Sequence, residues 1–293
     1  MKPIQFDYYA PTSVDEGLDK LTELGYDGKV LAGGQSLIAA MNFRMARPAA
    51  LVDLNRIPEL AYIKPTDDGG LAIGTMTRVR RVEQDAEVAK RFPLLREVAQ
   101  FIGHAQVRTR GTFGGAIAHA DPAGQLPAIS MAMNANLLVC SKTGERWVNA
   151  TDFIFGPFMT VLEPQEMLAE VVLPPNPPRT GSVYKQVSRQ KGGYAQAAVI
   201  AIMTLDEAGA CQNVRLVMMS VGETPIVSEK AVEILVGQKP SEQAFKAVAE
   251  AVVTGEIDPA TDLHATADYR RQLVRVLVVR ALTEACERAS KGG

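Results

Sequence analysis

AGGQS at residues 32–36 and QVRTRGTFGGAIAHADPAGQ at residues 106–125 are the two stretches that decide how this chain folds. The first stands between a predicted strand at residues 29–32 and a predicted helix at residues 36–45. Adjacent glycines can adopt positive φ angles and turn successive backbone N–H groups to one side, where they can bind an anion. Ser36 is placed either to cap the helix or to donate its hydroxyl to that anion. A tight turn without a ligand is an equally open interpretation.

The second stretch has four glycines between residues 108 and 125 and few large apolar side chains. We therefore expect its backbone to line a ligand rather than to build a core. Small residues at 116, 118, 120 and 123 would leave the floor of a groove without bulk. Two glycine loops of this kind suit a diphosphate held between two lobes, so the pair favours a nucleotide-type ligand.

Hydrophobic periodicity predicts the elements around these loops. Ser13 and Glu16 are expected to form a capping box at the start of a helix over residues 13–24. Residues 174–178 contain four prolines, which exclude a helix or a central strand, so this run is the clearest domain boundary. Strands are also predicted at 50–54, 71–75, 182–188, 195–205 and 214–221, and helices at 79–88 and 93–102.

The last helix has an apolar stripe formed by Val274, Leu277, Val278, Ala281, Leu282 and Ala285. Its arginines stand mostly off that stripe, at positions 270, 271, 275, 280 and 288. Because charged side chains usually cover helix exteriors, a solvated face is favoured over a docking surface for another subunit. The docking surface stays open as the second interpretation.

Composition excludes several classes of protein. The 31 Lys and Arg against 33 Asp and Glu provide no basic footprint for nucleic acid. Three scattered cysteines without a C-x-x-C pair exclude a disulfide framework and a thiolate metal cluster. No apolar run approaches the roughly 20 residues of a membrane span, and no secretory signal is present, so we expect a cytoplasmic location. The sequence also lacks H-E-x-x-H, G-x-S-x-G, P-loop and G-x-G-x-x-G motifs.

Four features together resemble the FAD-binding medium subunit of the molybdenum hydroxylases. They are the two glycine stretches, the proline break near 175 and the segment YKQVSRQKGGYA at residues 184–195. The group includes carbon monoxide dehydrogenase, quinoline oxidoreductase and xanthine dehydrogenase. The resemblance implies an α+β fold: an FAD-binding fold of the vanillyl-alcohol oxidase type with two α/β subdomains, at residues 1–56 and 57–176, and then a C-terminal antiparallel sheet with helices at 177–293.

The resemblance also implies which residues contact FAD, with Lys185 near the nucleotide and Tyr194 near the isoalloxazine ring. The family usually has Asn and Asp at the positions of Ala116 and Gln125, which puts the contacts of these two residues in doubt. His119 is favoured as a packed loop histidine over a contact with the adenosine. The expected cofactor-binding residues are Leu31, Ala32, Gly33, Gly34, Gln35, Ser36, Leu37, Gly111, Thr112, Gly114, Gly115, Ala116, Ala118, Gln125, Lys185 and Tyr194.

In such enzymes a molybdenum centre on a large subunit oxidises the substrate, [2Fe–2S] clusters on a small subunit relay electrons, and FAD passes them to an external acceptor. A cluster needs four thiolates, so the clusters and the molybdopterin cofactor are expected on partner chains. The resemblance implies a dimer of heterotrimers, with no catalytic acid or base and no metal site on this chain. A stand-alone FAD-dependent oxidoreductase and a non-enzymatic nucleotide-binding module remain alternatives.

Overall fold

The N-terminal part of the chain folds into a small parallel sheet with helices. Its elements are β1 (Asp7–Tyr9), α1 (Val14–Leu24), β2 (Gly28–Leu31), α2 (Leu37–Asn42) and β3 (Ala50–Asp53). The strand order is β1-β3-β2, with both pairs parallel, and β3 is buried on both faces. Ser13 accepts a hydrogen bond from the Glu16 amide, which confirms the predicted start of α1. The Glu16 carboxylate accepts from the Thr12 amide (2.8 Å) instead of completing the expected capping box. This structure is a computed structural model and describes residues 1–292.

The middle part of the chain combines an antiparallel sheet with a group of short helices. Its elements are β4 (Ile63–Pro65), β5 (Leu71–Gly74), α3 (Val79–Gln84), α4 (Ala86–Arg91), α5 (Pro93–Ala99), α6 (Ala105–Arg110), α7 (Phe113–His119), α8 (Gln125–Ala132), β6 (Asn136–Ser141), β7 (Gly144–Asn149), α9 (Ala150–Phe153), β8 (Ile154–Gly156), β9 (Met159–Thr160) and β10 (Met167–Leu173). The sheet order is β4-β5-β10-β6-β7, and β8 and β9 form a separate hairpin. The helix predicted over 79–88 is interrupted at Asp85, whose carboxylate caps α4.

The second glycine stretch contributes to the core, contrary to the expectation that it lines a ligand only. Phe113 and Ile117 of α7 are fully buried, and Thr112, Ala120 and Gln125 of the same stretch are buried as well. Small residues are present here because helices pack closely against the sheet, and a glycine or alanine lets two backbones approach. The prediction was wrong for this reason: a sequence of small residues does not distinguish close packing on protein from close packing on a ligand.

The C-terminal part is an antiparallel sheet covered by three helices. Its elements are β11 (Thr180–Ser188), β12 (Ala195–Leu205), β13 (Cys211–Met219), β14 (Ile226–Val227), α10 (Glu229–Leu235), α11 (Glu242–Gly255) and α12 (Ala267–Ser290). The strands pair in the order β11-β12-β13-β14. Val199 packs toward α12, whereas Ile200 packs toward the helices of the middle part, because successive strand residues face opposite sides. The sheet is therefore buried between two layers.

The last helix has the predicted apolar stripe, and all six of its residues are buried. Arg270 departs from the expectation of a solvated face. Its side chain is buried, donating to the carbonyls of Gln196 (2.6 Å) and Ser220 (2.9 Å) and pairing with Asp262 (2.7 Å). Arg270 therefore connects the start of α12 to β12 and to the residue that follows β13.

The proline run at residues 174–178 connects β10 to β11 without regular structure. The domain limits predicted from the sequence, 1–56, 57–176 and 177–293, stay a prediction, and they run between the three sheets. Gly293, the last residue of the third predicted domain, lies outside the described residues. Within residues 1–292, no helix has the length and apolar character needed to cross a membrane.

Candidate functional site

The first glycine loop, residues 32–36, connects the carboxyl end of β2 to α2. Gly34 has a φ of +73°, in the left-handed region expected for one of the paired glycines. Within the described residues, the backbone amides of Gly34, Gln35 and Ser36 donate to no acceptor. Ser36 makes no capping bond to α2, so of the two roles predicted for its hydroxyl, the cap is not formed. The loop thus presents three consecutive unused donors.

Backbone amides of the second glycine loop already donate to acceptors within the protein. The amides of Phe113 and Gly114 donate to the carbonyls of Thr77 (2.8 Å) and Thr75 (2.9 Å), and Gly115 donates to the Thr112 hydroxyl (3.2 Å). A Cβ on Gly114 would lie 1.7 Å from Thr75 Oγ1, so this position requires glycine for packing alone. The second loop therefore supplies a rigid wall, whereas the open donors are on the first loop.

The two glycine loops contact each other directly, although they lie about 80 residues apart in the sequence. A Cβ on Gly33 would lie 2.5 Å from the Arg110 carbonyl oxygen and 2.7 Å from Gly111 Cα. A Cβ on Gly115 would lie 3.0 Å from the Cβ of Ala32. The missing side chains allow the loops to meet, which is what binding of one ligand between two lobes requires.

Two polar residues that the sequence analysis missed connect these loops. The Asn55 side-chain amide donates to the Ala32 carbonyl (2.8 Å), and its oxygen accepts from Arg78 (2.6 Å). Arg78 also donates to the Arg110 carbonyl. One signal could have found Asn55: it follows β3, and the carboxyl ends of neighbouring parallel strands lie at the same edge of a sheet. Arg78 belongs to no recognisable motif.

The junction of the loops is positively charged. Arg78 is half-buried, and burial, followed by the nearby charge of Arg110, lowers the pKa of its guanidinium. Neither arginine forms an ion pair with a carboxylate within the described residues. The attraction of the nearby Asp53 carboxylate is the smallest of the influences on the Arg78 pKa, so the two cations favour an anionic ligand at this position.

The structure separates some of the other predicted residues from this junction. Lys185 pairs with Glu284 of α12, on the face of β11 opposite to Tyr184, which packs on Phe101. Gln125 is buried, and its amide donates to the Phe101 carbonyl (3.4 Å), so this group already has a partner within the protein. The side-chain alternation of β11 decides the position of Lys185, which does not reach the glycine loops in this structure.

The remaining predicted residues surround the junction or lie along α7. Leu31 and Leu37 are partly buried at the two ends of the first loop, and Ala116 and Ala118 are partly exposed on α7. Tyr194 has an exposed ring, while desolvation and then the charge of nearby Asp121 raise the pKa of its hydroxyl to about 12. His119 packs on the Phe158 ring, and burial lowers its pKa, so this histidine is neutral at pH 7.

Metal ligation has no support in the part of the chain that the structure describes. No group of three or more His, Cys, Asp or Glu side chains there could hold a metal ion. Cys140 and Cys211 are buried and Cys286 is half-buried, all as free thiols.

Comparison with known proteins identifies the family of this chain. Residues 4–176 match the family described as FAD binding domain in molybdopterin dehydrogenase, and residues 182–285 match the CO dehydrogenase flavoprotein C-terminal domain. The chain belongs to the FAD-binding subunits of the molybdopterin dehydrogenases. Both glycine loops lie within the FAD-binding match, which confirms the resemblance inferred from their sequences.

Similar proteins cover this FAD-binding subunit over nearly its whole length. It is 39% identical over 289 residues to the 6-hydroxypseudooxynicotine dehydrogenase complex subunit alpha of Paenarthrobacter nicotinovorans, covering 99% of this chain and 97% of the relative. It is 37% identical over 290 residues to the carbon monoxide dehydrogenase medium chain of Hydrogenophaga pseudoflava, covering 99% and 100%. A solved structure of that organism's enzyme, lacking the Mo-pyranopterin moiety, matches with a TM-score of 0.95 at 38% identity, covering 98% and 99%. The α+β fold is thereby confirmed.

The residues present in this FAD-binding subunit fit an FAD diphosphate. Gly33 and Gly34 keep the loop surface free of side chains, and the amides of residues 34–36 are available to phosphate oxygens. The charges of Arg78 and Arg110, neither of which forms an ion pair within the described residues, suit the two negative charges of a diphosphate. The donor set, the shape and the charge therefore agree.

Proposed function

We propose that this chain is the FAD-carrying medium subunit of a molybdenum-containing dehydrogenase and that it passes electrons from [2Fe–2S] clusters of a partner chain to an external acceptor. One observation carries the proposal. Three consecutive backbone amides without an acceptor, at residues 34–36, lie on the first glycine loop, and Gly33 of the same loop packs against the second glycine loop. Backbone donors held in a rigid, side-chain-free position are suited to a diphosphate.

The roles of this chain are binding and positioning. The amides of Gly34, Gln35 and Ser36 would bind phosphate oxygens, while residues 111–115 provide the opposing wall. Tyr194 and Asp121 are proposed to border the flavin end of the site, since the family resemblance places an aromatic residue there. Bound FAD supplies two-electron acceptance and release to an acceptor. No acid or base of this chain is assigned a catalytic step.

We further propose that the partners are a small iron–sulfur subunit and a large molybdenum subunit, arranged as a dimer of heterotrimers. The two relatives described above are named as a complex subunit and as a medium chain. Their names refer to different substrates, although this chain is similarly related to both, at 39% and 37% identity. The choice of substrate is therefore proposed to lie on another chain.

A titration of the full-length chain with FAD tests the cofactor assignment. The proposal expects a yellow protein that releases FAD on denaturation, and a Gly34→Val variant that no longer holds it, because a β-branched residue is strained at a φ of +73°. Gly209→Val is the matched control: its φ is +79°, and a Cβ there meets nothing within 4 Å. G209V should keep FAD. A wild-type chain that is colourless after incubation with saturating FAD and removal of the unbound FAD contradicts the proposal.

Purification of the native complex tests the partner assignment. The expected result is co-purification with two further chains, with iron and molybdenum measured in the same fraction. A chain that oxidises a substrate at full rate alone would support the stand-alone oxidoreductase instead. A chain that binds a nucleotide which is not reduced in any complex would support the non-enzymatic nucleotide-binding module.

A further inference from the structure

The chain of hydrogen bonds between the two glycine loops has a role that neither loop motif contains. We propose that Arg78 is a positioning residue for FAD, which, together with Asn55, fastens the first glycine loop to the second; we call this pair of residues the junction latch. The inference rests on the proposed function, because it concerns the same binding site. It assigns Arg78 no contact with the reacting atoms.

The Asn55 side chain is held in one orientation by residues of the parallel sheet. Its side-chain and backbone amides both donate to Asp53 Oδ1, and the second of these bonds is 2.9 Å long. The other oxygen of Asp53 accepts from the Tyr8 hydroxyl at 2.5 Å. Asp53 of β3 is buried and is bonded to Tyr8 of β1. The Asn55 oxygen that accepts from Arg78 is therefore held in position by residues of β1 and β3.

The junction latch is the polar connection between the loops. Within residues 1–292, no backbone hydrogen bond joins residues 31–37 to residues 110–116. The connection runs instead from the Ala32 carbonyl through Asn55 and Arg78 to the Arg110 carbonyl. The same Arg110 carbonyl is the atom that faces Gly33. The guanidinium therefore holds the point at which the two loops touch.

A guanidinium suits this position because its donors form a planar fork. One terminal nitrogen of Arg78 donates to Asn55 and the other to Arg110. A lysine has the same charge but a single nitrogen, so it does not reproduce the two bonds in fixed directions. The geometry of the junction, and not only its charge, thus depends on arginine.

Ligand binding and the junction latch are expected to reinforce each other. Without an anion, burial and the charge of Arg110 disfavour the charged Arg78 side chain more than the nearby Asp53 carboxylate favours it, which disfavours the closed junction. A diphosphate bound to the first loop offsets these charges. Coupling of this kind is reciprocal, so loss of the latch must weaken FAD binding.

FAD binding to full-length Arg78→Met, Arg78→Lys and Arg81→Met variants tests the proposal. Arg81 is the matched control, because it is three residues away and also donates to a backbone carbonyl, that of Ala61 (3.1 Å), without touching either glycine loop. We expect R78M to raise the dissociation constant and the release rate of FAD at least about tenfold, which corresponds to the loss of one charge-assisted hydrogen bond. R81M should stay within about twofold of the wild type.

The lysine variant separates positioning from charge. The junction latch predicts that R78K loses FAD nearly as readily as R78M, whereas a role of charge alone predicts that R78K resembles the wild type and would overturn the proposal. Thermal unfolding is measured with and without FAD. R78M and R81M should have similar melting temperatures without FAD, and only R78M should show a smaller rise in melting temperature when FAD is added.

A double-mutant cycle with Asn55→Ala provides the second test, in which thermal unfolding of each apoprotein shows that the variant is folded. Because Asn55 and Arg78 act through one chain of bonds, N55A/R78M should bind FAD about as weakly as either single variant. Losses that add would overturn the latch. If the wild-type chain binds no FAD, the proposed function is refuted. If the wild-type chain and R78M bind FAD equally tightly, only the junction latch is refuted.

Discussion

Replacing Gly33 by alanine should open the junction between the glycine loops and weaken FAD binding while the rest of the chain stays folded. The added Cβ would lie 2.5 Å from the Arg110 carbonyl oxygen and 2.7 Å from Gly111 Cα, both of which are backbone atoms. Ordinary contact begins at 3.4 Å, so the loops must separate by nearly 1 Å. Backbone cannot rotate away as a flexible side chain would.

The magnitude follows from the cost of inserting a methyl group into a packed contact, which is about 1 to 3 kcal/mol. The apoprotein can relieve the clash by moving the loops apart, whereas the FAD-bound form must keep them closed, so most of the cost falls on binding. With about 1.4 kcal/mol for each factor of ten, the dissociation constant should rise about 5- to 150-fold.

A fluorescence titration of the G33A chain with FAD measures this change, and thermal unfolding of the apoprotein checks the fold. Gly255→Ala is the control, because a Cβ at the end of α11 meets nothing within 4 Å, and its FAD affinity should equal that of the wild type. A G33A chain that binds FAD within twofold of the wild type would refute the reasoning, since it would show that the loop contact is irrelevant to the site.

Two further predictions concern charged residues that hold the fold. Arg270→Met should lower the free energy of unfolding by about 2 to 3 kcal/mol, because three acceptors lose a buried donor. Arg271→Met should change it by less than about 0.5 kcal/mol, because the carboxylates that pair with Arg271 are exposed. Urea unfolding measures both, and equal effects would contradict the prediction. Burial raises the pKa of Glu83, but hydrogen bonds from Arg108 and Arg80 outweigh burial and hold that pKa below its ordinary value of 4.5. The ionised carboxylate therefore stabilises the fold above pH 4.5, and this stabilisation is lost as the pH falls through the lowered pKa. Glu83→Gln should therefore cost about 3 kcal/mol at pH 7 and progressively less in acid, and a difference from the wild type that does not change with pH would contradict this assignment.

Elements with short-range signals were predictable from the sequence. The cap at Ser13 and the apolar stripe of α12 depend on neighbours within a few helical turns, the strand over residues 195–205 contains a continuous apolar run, and the structure has all three. Strands β6, β7 and β10 were not predicted. β10 pairs with β5, about 100 residues earlier, and such long-range pairing leaves little trace in local periodicity. β6 and β7 pair with each other across a two-residue turn, and this local hairpin was missed.

The candidate site was predictable only in part. Both glycine loops were recognised and were expected to face one ligand, but the sequence does not show which loop keeps its donors free. The side of β11 on which Lys185 lies depends on register, since a shift by one residue moves a side chain to the other face. Asn55 and Arg78 carry no motif and become neighbours only through the sheet edge and the fold of residues 75–79 against 111–114.

By itself, the sequence determined the family, the α+β class and the two positions at which the backbone must be free of side chains, because glycine pairs and helix periodicity are local properties. Tertiary structure decided that Gly33 meets Arg110, that Gly114 packs on Thr75 rather than on a ligand, and that an arginine joins the loops. The physical reason is that close approach depends on both surfaces, and the second surface is supplied by residues far away in the chain.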